Sequence, residues 1–501
     1  MLTIFVSTDK IDSAQNIINE EYRLNEVVEI KDLSQINGYK NFLIVESNEI
    51  KVPIRWSSEV PPYLLPNYID FTPNNLLAVV YLFLNNFEKA YHYAELNAFL
   101  LSDIDTINRL QHGILQDIDA TEEPIQIPFE IYRHWHNIAI LAHYGQSNQF
   151  FNIYHINSYY QKAVDAAPNG EYFAFTGKHF ATLMLDADEL GKAEDIIDRC
   201  LEEAISDESK IELKNILYGI WLKRLTAPYD ESLLAKLKNT LWEVLEYHEK
   251  QQNQVQIALL LIDASQVANM SNSFSEALGY ISRAINILGN EEIPELLANA
   301  QYRKGVLLYT WAQNGNPQFF KPAMEAYQQA LKVFTFENAP EIFSEIQHHL
   351  GVIYSEIPDE AKKKSLWAAV SVSSFNQALN FFTRETHPYE YAMICNSYGN
   401  ALTKYPPAVK TDNYAKALSY YRQSLDIRTA DEFPTERVLT IMNFLEAAWF
   451  VSHQNETEEK ALFEEMQNLA NEIKNLTQDT TLIADAERHL ERVSELRMHF
   501  V

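Results

Sequence analysis

One phrase recurs along this chain and limits what it can become. It reads NNFEKAYHYAEL at 85–96, NSFSEALGYISRAI at 272–285, KPAMEAYQQAL at 321–331, SSFNQALNFF at 373–382 and DNYAKALSYYRQSL at 412–425, with LGKAEDIIDRCL at 190–201 as a weaker copy. Each copy has a polar turn, then a small alanine (Ala90, Ala193, Ala277, Ala323, Ala378, Ala417), then a large apolar residue about four positions on. That spacing puts the alanine and the large residue on one helical face. A unit this short cannot bury its own apolar face and must stack on copies of itself. Only 13 glycines interrupt 501 residues, which suits long helices and argues against an all-β design.

Small residues also stand upstream of the phrase. Ala78, Ala181 and Ser265 lie twelve positions before the alanine in the early copies. In the later copies glycines take this part, in YRKGVLLY (302–309), HHLGVIY (348–354) and NSYGNAL (396–402). The phrase resembles the second helix of the tetratricopeptide repeat, and the upstream small residues resemble its first helix. The family's first-helix tryptophan and closing proline are absent. The resemblance implies a mainly α fold, a tetratricopeptide-like α-solenoid of helix pairs in which small residues let paired helices approach and Tyr or Phe fills the next gap. It also implies a protein–protein interaction scaffold or adaptor. The alternative it leaves open is a peptide-responsive regulator with a ligand in the concave groove.

Residues 1–70 read differently. LTIFVS (2–7), NEVVEI (25–30) and NFLIVES (41–47) are short β-prone runs, with a helical DSAQNIINEEY (12–22) between the first two, so a small N-terminal α/β unit is expected. Residues 52–73 hold five prolines, and proline removes a donor and restricts its predecessor, so a boundary is placed there. The expected divisions are 1–70, then 71–290 with partly degenerate repeats, then 291–501 with clearer repeats, inserted loops and a charged capping helix at 481–500.

The formal net charge of −29 disfavours nucleic-acid partners, whose phosphates call for a basic face. No run of about 18 apolar residues predicts a membrane span. MLTIFVSTDK lacks the basic start of a signal peptide, so a cytoplasmic location is expected. Cys200 and Cys395 are too far apart in sequence for a zinc motif, and read as small buried side chains. FTGKHF (175–180) fails as a phosphate loop, because Tyr172 stands where a glycine is needed and His179 follows the lysine. His134, His136 and His143 lack the four-residue spacing of metal ligands on a helix, and His348 and His349 are adjacent. No enzyme, metal or cofactor is expected.

Spacing between the small residue and the alanine expands in three neighbouring repeats, Gly305–Ala323, Gly351–Ala378 and Gly399–Ala417. The inserts, 311–322, 355–373 and 403–413, sum to +1, 0 and +1 in an acidic chain. Equivalent insertions in stacked repeats fall on one edge. Trp311, Phe319, Phe320, Lys362, Lys363, Lys364, Trp367 and Tyr405 either form a ridge that docks a protein or peptide partner, or pack on one another and lengthen the helices they join, with Trp367 in the core. The alternative surface is the concave groove of the first helices, with Tyr302, His348, Asn396 and Asn400.

Overall fold

A computed structural model describes residues 1–36, 41–56, 61–120, 124–226, 229–357, 360–407, 412–453 and 455–497. Two compact units divide after Tyr247. The expected divisions at 70 and 290 follow the proline-dense stretch and the onset of the clearer repeats.

The first unit opens with a five-stranded sheet of order β2-β1-β3-β4-β5. Its strands are β1 (Leu2–Val6), β2 (Val28–Asp32), β3 (Phe42–Glu46), β4 (Glu49–Lys51) and β5 (Ile69–Asp70), and helix α1 (Ile11–Glu20) joins the first two. β1 pairs in parallel with both β2 and β3. β4 and β5 were not legible in the sequence. β4 turns back from β3 through Ser47 and Asn48, both with positive φ, and β5 lies within the proline-dense stretch.

The helices of this unit follow. They are α2 (Pro73–Phe83), α3 (Phe87–Ala94), α4 (Ala98–Gln111), α5 (Pro128–Tyr144), α6 (Ile153–Asp165), α7 (Gly170–Asp186), α8 (Leu190–Leu201), α9 (Asp207–Arg224) and α10 (Glu231–Lys250). α2 packs on α3, α5 on α6 and α7 on α8. Asparagine side chains cap the first turns of α3, α4, α6 and α7, accepting from N–H groups that have no partner within the helix.

Sheet and first helix pair share one core, from Leu2, Ile4 and Val45 to Ala78, Val79 and Ala90. A polar latch reinforces it. Glu21, just after α1, accepts hydrogen bonds from Tyr81 (2.5 Å), Tyr93 and Lys89 (2.9 Å). The Tyr81 and Tyr93 hydroxyls hold its carboxyl down to about 2. The proline-dense stretch is also fastened. Leu64 N–H donates to Asn137 Oδ1 (2.8 Å), Asn137 Nδ2 returns a bond to Leu64 O (2.9 Å), and Trp56 is buried edge-on against Phe175.

The second unit holds α11 (Gln254–Met270), α12 (Phe274–Leu288), α13 (Pro294–Gln313), α14 (Phe320–Ala330), α15 (Pro340–Glu356), α16 (Ala361–Phe381), α17 (Pro388–Lys404), α18 (Asn413–Leu425), α19 (Pro434–Ala448), α20 (Glu456–Leu476) and α21 (Thr480–Arg497). α11 packs on α12, α13 on α14, α15 on α16, α17 on α18 and α20 on α21. Pro294, Pro340, Pro388 and Pro434 each occupy the first turn of a helix, where a missing N–H costs nothing. This periodic proline is a second repeat signal in the sequence, independent of the alanine phrase.

The expected small residues lie buried at the seams, and the large rings that meet the glycines lie within each helix pair rather than only in the gap to the next pair. All six phrase alanines are fully buried, as are Ala78 and Ala181, with Ser265 nearly so. A Cβ at Gly305 would come within 2.6 Å of the Tyr327 ring, and one at Gly351 within 3.0 Å of the Phe375 ring. One at Gly399 would run into Tyr421, and one at Gly177 into the Cys200 sulfur. The helix pairs are thus tetratricopeptide-like in packing as well as in sequence.

Gly399→Val should lower stability by about 1–3 kcal/mol, because Tyr421 cannot retreat from a packed seam. Gly279→Ala, on α12 with open space around its Cα, should raise it by about 0.5–1 kcal/mol. Urea melts followed by circular dichroism check both signs.

Candidate functional site

The insert residues do not stand out as a row of exposed anchors. Trp311 is half-buried between Phe319, at 3.9 Å between ring centroids, and Phe274 at 5.6 Å. Phe320 is buried. Trp367 is half-buried and stacks on Tyr354 at 5.6 Å. Tyr405 donates to Ser371 Oγ at 2.6 Å and is half-buried. The second insert is largely helix, since α16 begins at Ala361. Lys363 and Lys364 are exposed on its first turn, whereas the Lys362 side chain and residues 408–411 of the third insert lie outside the described residues. Aromatic side chains of this size bury readily once a neighbouring helix supplies a face.

The groove candidates separate. His348 is buried near Phe375, and burial holds its imidazole down to about 3. Tyr302 is half-buried and donates to Glu345 at 2.8 Å. Asn396 Oδ1 accepts from Asn443 Nδ2 of α19 at 3.1 Å. Asn400 accepts from the Tyr421 hydroxyl at 2.7 Å. The ring that fills the gap over Gly399 therefore also orients Asn400.

Asn400 lines an open depression of about 340 Å³ with Lys404, Tyr414, Asn443, Glu446 and Phe450. A second depression, of about 400 Å³, adjoins it and shares Glu446 and Phe450, with Trp449, Arg488, His489 and Arg492 on its walls. Phe450 is 63% exposed beside Tyr414, ring centroids 5.0 Å apart. On the other wall Trp449 donates to His489 Nδ1 at 2.8 Å, and the Arg492 guanidinium lies 4.2 Å over the Trp449 ring. The result is a groove with asparagines, an aromatic shelf and charges of both signs. Asn443, Glu446, Trp449 and Phe450 were missed in the sequence. The recurrence of Ile-x-Asn at 394–396 and 441–443 was the available signal for Asn443.

Residues that could carry other chemistry are otherwise engaged. Lys178 of the failed phosphate loop lies in α7 and donates to Trp56 O (3.1 Å) and Glu212 (2.8 Å). Burial pushes both cysteine thiols up to about 12, so neither is a ready nucleophile. Among the described residues no group of three or more His, Cys, Asp or Glu side chains is arranged to hold a metal ion. No helix among them is long and apolar enough to cross a membrane. A cavity of about 60 Å³ under Pro61–Leu65, walled by Leu82, Phe83 and Phe175, has room for about two waters.

His136 is buried and held at both ring nitrogens. Its Nε2 donates to Pro62 O (2.8 Å), which fixes the neutral tautomer, and its Nδ1 meets Thr176 Oγ1 (2.9 Å). Burial lowers its pKa to about 4. His143 lies between Tyr160 (2.8 Å) and Asp186 (3.2 Å), and burial lowers it as well.

No family model and no curated protein matches this sequence. Among solved structures it is similar to the apo form of RapI, at 13% identity over 74% of this chain and 98% of that one, with a TM-score of 0.44. It is also similar to the P58(IPK) TPR domain (12%, 85% and 98%, TM-score 0.24) and to yeast Tom70 (11%, 85% and 88%, TM-score 0.28). These likenesses are loose, and the repeat character rests on the small-to-large seams of the helix pairs.

Acid should destabilise the first unit in a defined window. An unfolded histidine takes up its proton near pH 6.5, whereas folded His136 waits until about 4. The stability that neutral His136 contributes is therefore fully present above pH 6.5 and is lost as the pH falls towards 4, on the order of 3 kcal/mol. His136→Gln, which keeps a donor for Pro62 but does not titrate, should flatten that part of a urea-stability profile measured from pH 7 to 4.

Proposed function

We propose that this chain is a protein-binding scaffold and that the groove along α17, α19 and α21 receives the partner. The observation that carries the reading is the pair of adjoining depressions that share Glu446 and the exposed Phe450. Hot spots of protein interfaces favour such a combination of aromatic anchor and nearby arginine. Asn400 and Asn443 offer amides that can both donate to and accept from the backbone of an extended segment. Phe450 and Tyr414 offer an apolar shelf for one of its side chains. Arg492 and Glu446 make the groove polar enough to select among segments by charge.

The partner in this reading is a protein or peptide, since the acidic chain has little to offer a phosphate backbone. The role is non-catalytic, with side chains spent on packing and docking. The two buried, free thiols suit a reducing compartment such as the cytoplasm. No contact in the groove favours the narrower reading of a peptide-switched regulator.

Affinity capture from the native cell, quantified by mass spectrometry, tests the groove against the inserts. Phe450→Ala and Asn443→Asp should each deplete the same captured protein by about tenfold, the size of one hot-spot loss. Lys363→Glu with Lys364→Glu should leave capture unchanged. The opposite pattern would move the docking site to the inserts.

A further inference from the structure

We propose that the outer edge of β2 is a self-association surface, at which two copies of this chain pair their β2 strands antiparallel about Ile30. Among the described residues β2 is paired on one side only, with β1. Leu2 N–H donates to Val27 O at 3.0 Å in the register that sets Leu2 against Val28. In a parallel ladder this turns the backbone groups of Val27, Glu29 and Lys31 towards β1, and those of Val28, Ile30 and Asp32 outward. Thr3 and Ser7 N–H groups donate to Asn41 O and Val45 O on the β3 side, as the same alternation requires.

The occupant follows from the order of charges. Glu29 and Lys31 flank Ile30 on one face of the strand, 40% and 23% exposed, and are paired to each other at 2.9 Å. Charges on an edge strand ordinarily deter pairing. Here they read the same way across a two-fold axis through Ile30. With two β2 strands antiparallel and centred there, Glu29 of each copy lies opposite Lys31 of the other, and both cross-strand pairs attract. The same register sets Ile30 opposite Ile30, and Val28 opposite Asp32. All three outward-pointing residues then fall in hydrogen-bonded pairs, giving about six backbone bonds.

The alternatives do not match. A parallel, in-register pair would set Glu29 against Glu29 and Lys31 against Lys31, which repels. A one-residue slip would face outward groups with groups that point away. On the opposite face Ile30, which packs on the core beneath, would meet its own copy at the axis. An unrelated extended segment could satisfy the backbone, but nothing would give it the complementary charge order.

Sedimentation equilibrium of the full chain over a concentration series tests this, with circular dichroism melts confirming that each variant folds. The wild type should dimerise reversibly. Glu29→Lys and Lys31→Glu should each raise the dimer Kd by about tenfold or more, since each places like charges opposite one another twice. The double variant restores alternation with reversed signs and should recover the wild-type Kd. An equimolar mixture of the two single variants should form a heterodimer, because both charges at the edge of the Glu29→Lys chain are then positive and both at the edge of the Lys31→Glu chain negative. A wild type that stays monomeric throughout overturns the proposal. So does a dimer indifferent to the single variants, or a double variant that fails to recover.

Discussion

A small residue facing a large ring is the contact on which the helical part of this protein depends. At Gly305, Gly351 and Gly399 the first helix of a pair presents bare backbone to Tyr327, Phe375 and Tyr421 of the second. Removing a side chain at one point lets the ring lie against the helix itself, at the dense packing that protein interiors require. The alanine of the second helix is fully buried in every copy. At Gly177 the ring is replaced by the compact sulfur of Cys200, a smaller filler for a similar approach. Interlocks of this kind transmit no chemistry, yet they decide how far apart helices stand and which faces remain uncovered.

What remains uncovered in the second unit is the source of its groove. Tyr421 serves both purposes, with its ring against Gly399 and its hydroxyl on Asn400. Asn396 and Asn443 bond one another across neighbouring first helices. A docking surface built from such side chains is held by the seam beneath it, so its amides are oriented before a partner arrives and lose less entropy on binding. Exposed Phe450 then adds area where the partner can exclude water.

Buried polar groups fasten the first unit. The proline-dense stretch cannot join a helix or a central strand, and its carbonyls are met by side chains instead, Pro62 by His136 and Leu64 by Asn137. Glu21 fastens the segment after α1 to Tyr81 and Tyr93 in the same manner. Such bonds cost much to break because the groups left behind would be buried and unpaired. They also couple folding to pH, as neutral His136 does.

The sequence by itself determined the helix pairs, three strands of the small α/β unit and the small residues buried at the seams. These are written in local pattern: alanines followed about four positions on by a large apolar residue, small residues upstream of them, and β-prone runs with a helical one between the first two. It did not determine the fate of the aromatic residues in the inserts. Trp311, Phe319 and Trp367 could be read in an insert either as exposed anchors or as packed rings, and each finds a neighbouring ring once the helices stack. Nor did it show that Ser47 and Asn48 turn β3 back into β4, or that Glu446 and Phe450 stand beside Asn400. Each of these depends on which distant segment passes by. Local sequence sets which face of a helix is apolar, whereas burial of a given ring is settled by the neighbour that covers it, and only the tertiary structure brings that neighbour into place.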